Sequence, residues 1–276
     1  MAATGAGGST SLRTRRWHVA LLAHYVVILA AAEVLLAFAN LDGNGTMALL
    51  GLLFDLFLVV SLPIEASVLV TRDKPLAEFL GALVLPPLIR VVTLSIPSTY
   101  FTTVEWTLVV SLPLLLAVAA VMQAEGLRRA DMFLSVGNRR YLPVSVTLAF
   151  VGLGLGFAEY RILRPDPWIA TRDMGQMALA GIAIFLSNGL VEELAFRGIL
   201  LRTGIPLLGQ RGTLLFGSLV YAALHIGTLS PLDIAFAFAV GLVFGVVVLL
   251  TRSLLGAIGA HTLASAALYL ILPFGF

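Results

Sequence analysis

The stretch Ser187-Asn188-Gly189-Leu190-Val191-Glu192-Glu193-Leu194-Ala195-Phe196-Arg197-Gly198-Ile199-Leu200 sets two adjacent carboxylates and an arginine inside one of the most apolar runs of the chain, beginning near Gln176. A charge near the centre of a membrane-spanning helix costs roughly 2.5–3.5 kcal/mol on insertion scales, so these side chains must face protein, water or each other. Helical spacing sorts them. Glu193 and Arg197 are i,i+4 with the acid first, the favourable order for an ion pair on one face. Glu192 lies about 100° around the helix from Glu193 and has no basic residue one turn away. One carboxylate is neutralised locally, and its neighbour is free for chemistry.

The rest of the chain makes the surroundings a membrane. Of 276 residues, 59% are hydrophobic and only 12% are charged, and the mean hydropathy is +1.02. Soluble domains carry about 25% charged residues, so the reading is an all-α, polytopic membrane helical bundle. The net charge of +2 comes from arginines in short loops, which points to topology and away from nucleic acid. The absence of cysteine excludes disulfides, a thiolate nucleophile and Cys-ligated metal. Ala37-Phe38-Ala39 looks like a signal-cleavage site, but the apolar run before it, 19–36, exceeds the usual signal core, so it is read as an uncleaved first span.

About nine spans, eight to nine allowing for boundaries, emerge at 17–39, 47–70, 76–96, 104–123, 142–157, 176–200, 213–228, 232–250 and 254–273. With the N-terminus inside, cytoplasmic loops collect most of the arginines, and only Arg161, Arg164 and Arg172 fall outside, in a loop balanced by Glu159, Asp166 and Asp173. Residues 1–16 read as a disordered basic N-terminus, 17–125 as a four-helix bundle, 126–141 as a basic cytoplasmic loop, and 142–276 as the domain holding the polar constellation. In the first bundle, Glu33, Asp55 and Arg90 lie at similar depths. Arg90 is expected to contact Glu33 or Asp55. Gly152 with Gly156, Gly241 with Gly245, and Gly256 with Ala260 have the spacing of closely packed membrane helices.

Counted from the cytoplasmic ends, Glu192 lies about nine residues deep, His261 about eight and His225 about thirteen. Three helices therefore present one free carboxylate and two imidazoles at one level, displaced toward the cytoplasmic face. A carboxylate in a low-dielectric site can act as general base toward water with an imidazole as partner, and nearby donors can stabilise an oxyanion. Ser265, at i+4 from His261, can share its cavity. The same atoms, Glu192, His225 and His261, also form a possible zinc ligand set, and Ser265 beside His261 a possible serine mechanism.

At these residues the sequence resembles the CPBP family of intramembrane proteases, which includes the CAAX prenyl protease 2 and bacteriocin-processing enzymes. The family's EExxxR motif stands complete as Glu192-Glu193-Leu194-Ala195-Phe196-Arg197. FxxxH is represented by Tyr221-Ala222-Ala223-Leu224-His225, and HxxxN by His261-Thr262-Leu263-Ala264-Ser265. The resemblance covers about 176–272. It implies that Glu192 activates water with His225, that Glu193 and Arg197 form a structural pair, that Tyr221 is a cavity wall, and that His261 with Ser265 stabilises the oxyanion. It departs from the family pattern at Tyr221 and Ser265.

The expected function is thus an intramembrane endopeptidase of glutamic type, acting on a membrane-bound or lipid-anchored protein or peptide near the cytoplasmic side. No cofactor is expected, with zinc the stated alternative. Localisation in a bacterial inner membrane, N-terminus cytoplasmic, goes with this reading. The competing classes are a non-catalytic scaffold or immunity-type protein on the same fold, and a transporter using Glu192 as a proton site.

Overall fold

The computed structural model describes residues 12–275, except the side chains of 12–15. Of the segment 1–16, expected to be disordered, 1–11 lies outside the described residues, as do the side chains of Arg13 and Arg15, whereas 12–16 is helical and opens α1. The described residues form helices and turns with no strand. In chain order these are α1 (Leu12–Asp42), α2 (Gly45–Leu69), α3 (Lys74–Ala82), α4 (Leu85–Ser95), α5 (Thr103–Ala124), α6 (Leu142–Leu163), α7 (Met174–Ile184), α8 (Leu201–Ala223), α9 (Pro231–Thr251) and α10 (Leu255–Ala266).

Local chemistry explains the interruptions. Gly43 takes a positive φ of 63°, and the Asn44 side chain caps α2, making a tight α1–α2 hairpin. Pro86 and Pro87 divide what the sequence reads as one span into α3 and α4. Pro87 has no N–H for the carbonyl four residues back, that of Leu83. Tyr25 Oη donates to the Leu83 carbonyl at 3.1 Å instead, as a backbone group buried in a membrane requires.

Eight helical runs among the described residues are long and apolar enough to cross a membrane. One of them covers 55 residues, 174–228, which would be about 80 Å if straight, against a hydrocarbon core of about 30 Å. It folds back at Gly209, where φ is 71° and ψ is 169°, values that suit glycine. Phe196 and Tyr221 then meet with ring centroids 5.2 Å apart. Its two legs correspond to the sixth and seventh expected spans. This is how eight runs and about nine spans agree.

The first four spans pack on the later ones: Phe79 and Tyr25 lie against Phe216 of α8 at ring-centroid distances of 5.6 and 6.4 Å. The basic loop is docked onto the turn between α9 and α10: Asn138 N donates to the Thr251 carbonyl at 3.0 Å and Leu254 N to that of Phe133 at 2.9 Å. Glycines do bring helices together as their spacing suggests. A Cβ at Gly152 would meet the Ala260 backbone, one at Gly156 the Ala264 backbone, and one at Gly256 the Ser145 backbone. In this way α6 lies directly on α10, the helix of His261.

Candidate active site

The motif stretch is not regular α-helix. Phe185–Glu192 and Leu194–Leu200 are π-helical turns, which are uncommon and are often found at functional sites. A π turn holds more residues than an α turn, so successive side chains diverge by less than 100°. Both carboxylates consequently reach the same imidazole. Glu193 Oε1 is 2.8 Å from His261 Nδ1, and Glu192 Oε2 is 3.9 Å from His261 Nε2.

The expected pair is present, with Arg197 Nη1 donating to Glu193 Oε1 at 3.0 Å. Both residues are buried. Three rings surround the guanidinium, with centroids 4.4 Å away for Tyr221, 5.5 Å for Phe244 and 5.8 Å for Phe196. Tyr221 thereby holds the charge by a cation–π contact, besides lining the cavity. Glu193 is more than half of an ion pair, because the same oxygen orients His261.

His225 ends the seventh span, and α9 supplies its partner. Ser230 caps α9, which turns Asp233, in the first turn, onto His225 Nδ1 at 2.9 Å. Asp233 also accepts from Thr228 Oγ1 at 3.1 Å. An ionised carboxylate only accepts hydrogen bonds, so each imidazole carries a proton on Nδ1, and in its neutral form it leaves Nε2 with a lone pair. Asp233 was not singled out from sequence; its signal was only an acid eight residues after His225.

The four expected residues Glu192, His225, His261 and Ser265 line one cavity of about 390 Å³. Asn188, Glu159, Glu33 and Arg90 line it too. Asn188 Nδ2 donates to Ser265 Oγ at 3.3 Å, placing a side-chain amide beside the hydroxyl that stands where the family motif has Asn. Glu159, read from sequence as a loop residue, is within α6. Ser265 and His261 share the cavity, but no hydrogen bond joins them, which removes the geometric basis of a serine–histidine pair.

The first spans complete this cavity. Arg90 Nε donates to Glu33 Oε1 at 2.5 Å, as the depth argument expected, and Arg90 Nη2 donates to the carbonyl of Leu224, immediately before His225. Asp55 is fully buried, and neither of its oxygens has a hydrogen-bond partner.

Two expectations fail on geometry. The cavity is lined by Asn40, Leu94, Glu159 and Thr228, all close to the helix ends opposite those bearing Arg128, Arg129, Arg139, Arg140, Arg211 and Arg252. The depth counts had displaced the site toward the arginine-bearing ends. They erred because the helix of Glu192 continues beyond Leu200 to the reversal at Gly209. The zinc set Glu192, His225 and His261 also does not converge: among the described residues, the His and carboxylate atoms that all lie within 4.8 Å of one another come from Glu159, His225 and Asp233.

No curated protein and no solved structure matches the chain. A protein-family comparison does find a match, and it covers the span of the three motifs. Residues 174–267, which carry Glu192, Glu193, Arg197, His225, His261 and Ser265, match the family described as type II CAAX prenyl endopeptidase Rce1-like, consistent with the CPBP resemblance read from those motifs.

Proposed function

We propose that the protein is an intramembrane endopeptidase that hydrolyses a peptide bond of a membrane-bound or lipid-anchored protein or peptide with water activated by Glu192. The observation carrying this reading is the pair of imidazoles, each held through Nδ1 by a buried carboxylate, lining one cavity with a carboxylate that has no cation of its own. A scaffold has no use for such an arrangement.

Glu192 Oε2 and His261 Nε2 are 3.9 Å apart, too far for a direct hydrogen bond and suited to one bridging water. Glu192 takes a proton from that water as its oxygen attacks the carbonyl carbon. The proton then passes to the departing amine nitrogen as the C–N bond breaks. His261 accepts the other hydrogen of the water, in place of the oxyanion role that the resemblance gives it. Ser265 Oγ accepts from Asn188, so its own hydrogen is free to donate to the developing oxyanion, with the Asn188 amide beside it. His225, oriented by Asp233, is the second proton acceptor in the cavity. No metal enters these steps.

The arginine-rich ends belong in the cytoplasm under the positive-inside rule, which puts the N-terminus inside and the cavity mouth toward the opposite face of a bacterial inner membrane. Purified protein in liposomes, incubated with solubilised host membrane proteins, tests the chemistry. Cleavage that survives zinc chelation and disappears in Glu192→Gln supports it; cleavage that persists in Glu192→Gln rejects it.

A further inference from the structure

The hydrolytic steps use His225 and its partner Asp233 but leave Glu159, clustered with both, without a role. Glu159 comes from α6, His225 follows α8, and Asp233 opens α9, so three separate elements contribute one ligand-type atom each, all within 4.8 Å of one another. Bonds of about 2.0–2.2 Å from imidazole nitrogen or carboxylate oxygen to a tetrahedral divalent ion set ligand atoms roughly 3.3–3.6 Å apart. Side-chain adjustments of up to about 1.5 Å bring this set to that spacing.

A second observation is independent of the clustering. Asp233 is fully buried. Its Oδ2 accepts from both His225 Nδ1 and Thr228 Oγ1, whereas its Oδ1 has no hydrogen-bond partner. A buried carboxylate oxygen with nothing to accept from is costly inside a protein, and more so within a membrane. Side-chain cations do not answer it. Arg90 is the one Lys or Arg among the residues lining the adjoining cavity, and Glu33 already pairs with it.

We propose that Glu159, His225 and Asp233 bind one divalent transition-metal ion, at a site distinct from Glu192 and His261. One imidazole and two carboxylates suit Zn²⁺ or Co²⁺. The inference goes beyond the hydrolytic reading and touches it at one point. An ion shared with Asp233 displaces the His225 Nδ1 proton that Asp233 accepts, so it alters an imidazole that hydrolysis uses and saturating zinc inhibits cleavage.

The test is zinc binding to the metal-stripped full-length chain in micelles, measured by calorimetry. The expected result is one saturable ion per chain, with affinity reduced at least about tenfold in Glu159→Gln and in Asp233→Asn, and wild-type affinity in Glu192→Gln and His261→Gln. A Co²⁺ ligand-field spectrum of the wild-type protein, showing mixed nitrogen and oxygen ligation, checks the site without any variant. Absence of saturable binding to wild-type protein overturns the proposal, as does a site that depends on Glu192 and His261 but not on Glu159. These readouts are of binding alone. They can fail while Glu192-dependent cleavage stands, and the reverse.

Discussion

Replacing Arg197 by methionine isolates one buried charge. The methionine keeps apolar contact with Phe196, Tyr221 and Phe244, the rings that surround the guanidinium, so most of the packing survives. What is lost is the partner of Glu193, a residue with no exposed surface whose second carboxylate oxygen already lacks a hydrogen bond. Removing one member of a buried pair costs about 3–5 kcal/mol, since the remaining charge is left uncompensated. Removing both charges, in Glu193→Leu with Arg197→Met, avoids that penalty and is expected to recover at least about 2 kcal/mol relative to the sum of the single losses. The double variant remains inactive, because His261 Nδ1 has lost its acceptor. Reversible unfolding in mixed micelles, followed by circular dichroism across the four-member cycle, measures the coupling. A loss under about 1 kcal/mol for Arg197→Met, or strict additivity in the double variant, refutes the claim that this pair is a dry, mutually dependent unit.

Other perturbations test separate parts of the structure. Gly152→Ala drives a Cβ into the Ala260 backbone and is expected to cost about 1–3 kcal/mol while lowering cleavage by shifting α10. Gly154→Ala, where nothing lies within 4 Å, is the neutral control in the same unfolding assay. Asp233→Asn should lower kcat at least about tenfold with little change in KM, since Asp233 orients His225 without lining the cavity. Outside the spans, burial and then the nearby Glu78 push the Glu125 carboxyl up from 4.5 to about 7, against the opposing pull of Lys74. The folded state therefore holds a proton that the unfolded state has released between these values. The contribution is fully present below about 4.5 and is lost as pH rises through about 7. Glu125→Gln should accordingly raise the midpoint of thermal unfolding above pH 7 and leave it unchanged near pH 4. Reporter fusions in the loop 126–141 should register as cytoplasmic, and fusions at Arg164 or Thr228 as external.

How much of this was legible in the sequence depended on the range of the interaction. Glu193 with Arg197 was readable because i,i+4 spacing fixes a shared face in an α or a π turn alike. Arg90 with Glu33 was readable because polar groups in lipid must find partners at their own depth. Asp233 was hidden because an acid three residues after Ser230 and two after Pro231 reads as an ordinary helix start, whereas its side chain turns away to His225. Glu159 falls outside the fifth expected span, which ends at 157, whereas the helix there, α6, runs to Leu163. Asn188 stands inside the stretch 187–200, but its meeting with Ser265 crosses between helices, and no spacing rule gives that. The π turns left no sequence mark. Their effect is that Glu192 and Glu193 flank one imidazole, where an ideal helix separates them by about 100°. The reversal at Gly209 moved the site away from the arginine-bearing ends, because the depth count had taken Leu200 as a helix end.

The most direct test of the central claim is a quantitative survey of protein termini in the membranes of the native host, comparing wild type with Glu192→Gln at matched abundance. The account predicts that particular new N- and C-terminal ends vanish in the variant while their uncut parents accumulate, and that the cut positions lie at or beyond the membrane face opposite the arginine-rich loops. Identical termini in the two strains, under conditions where deleting the whole chain has a phenotype, would contradict it and make Glu192 a structural residue.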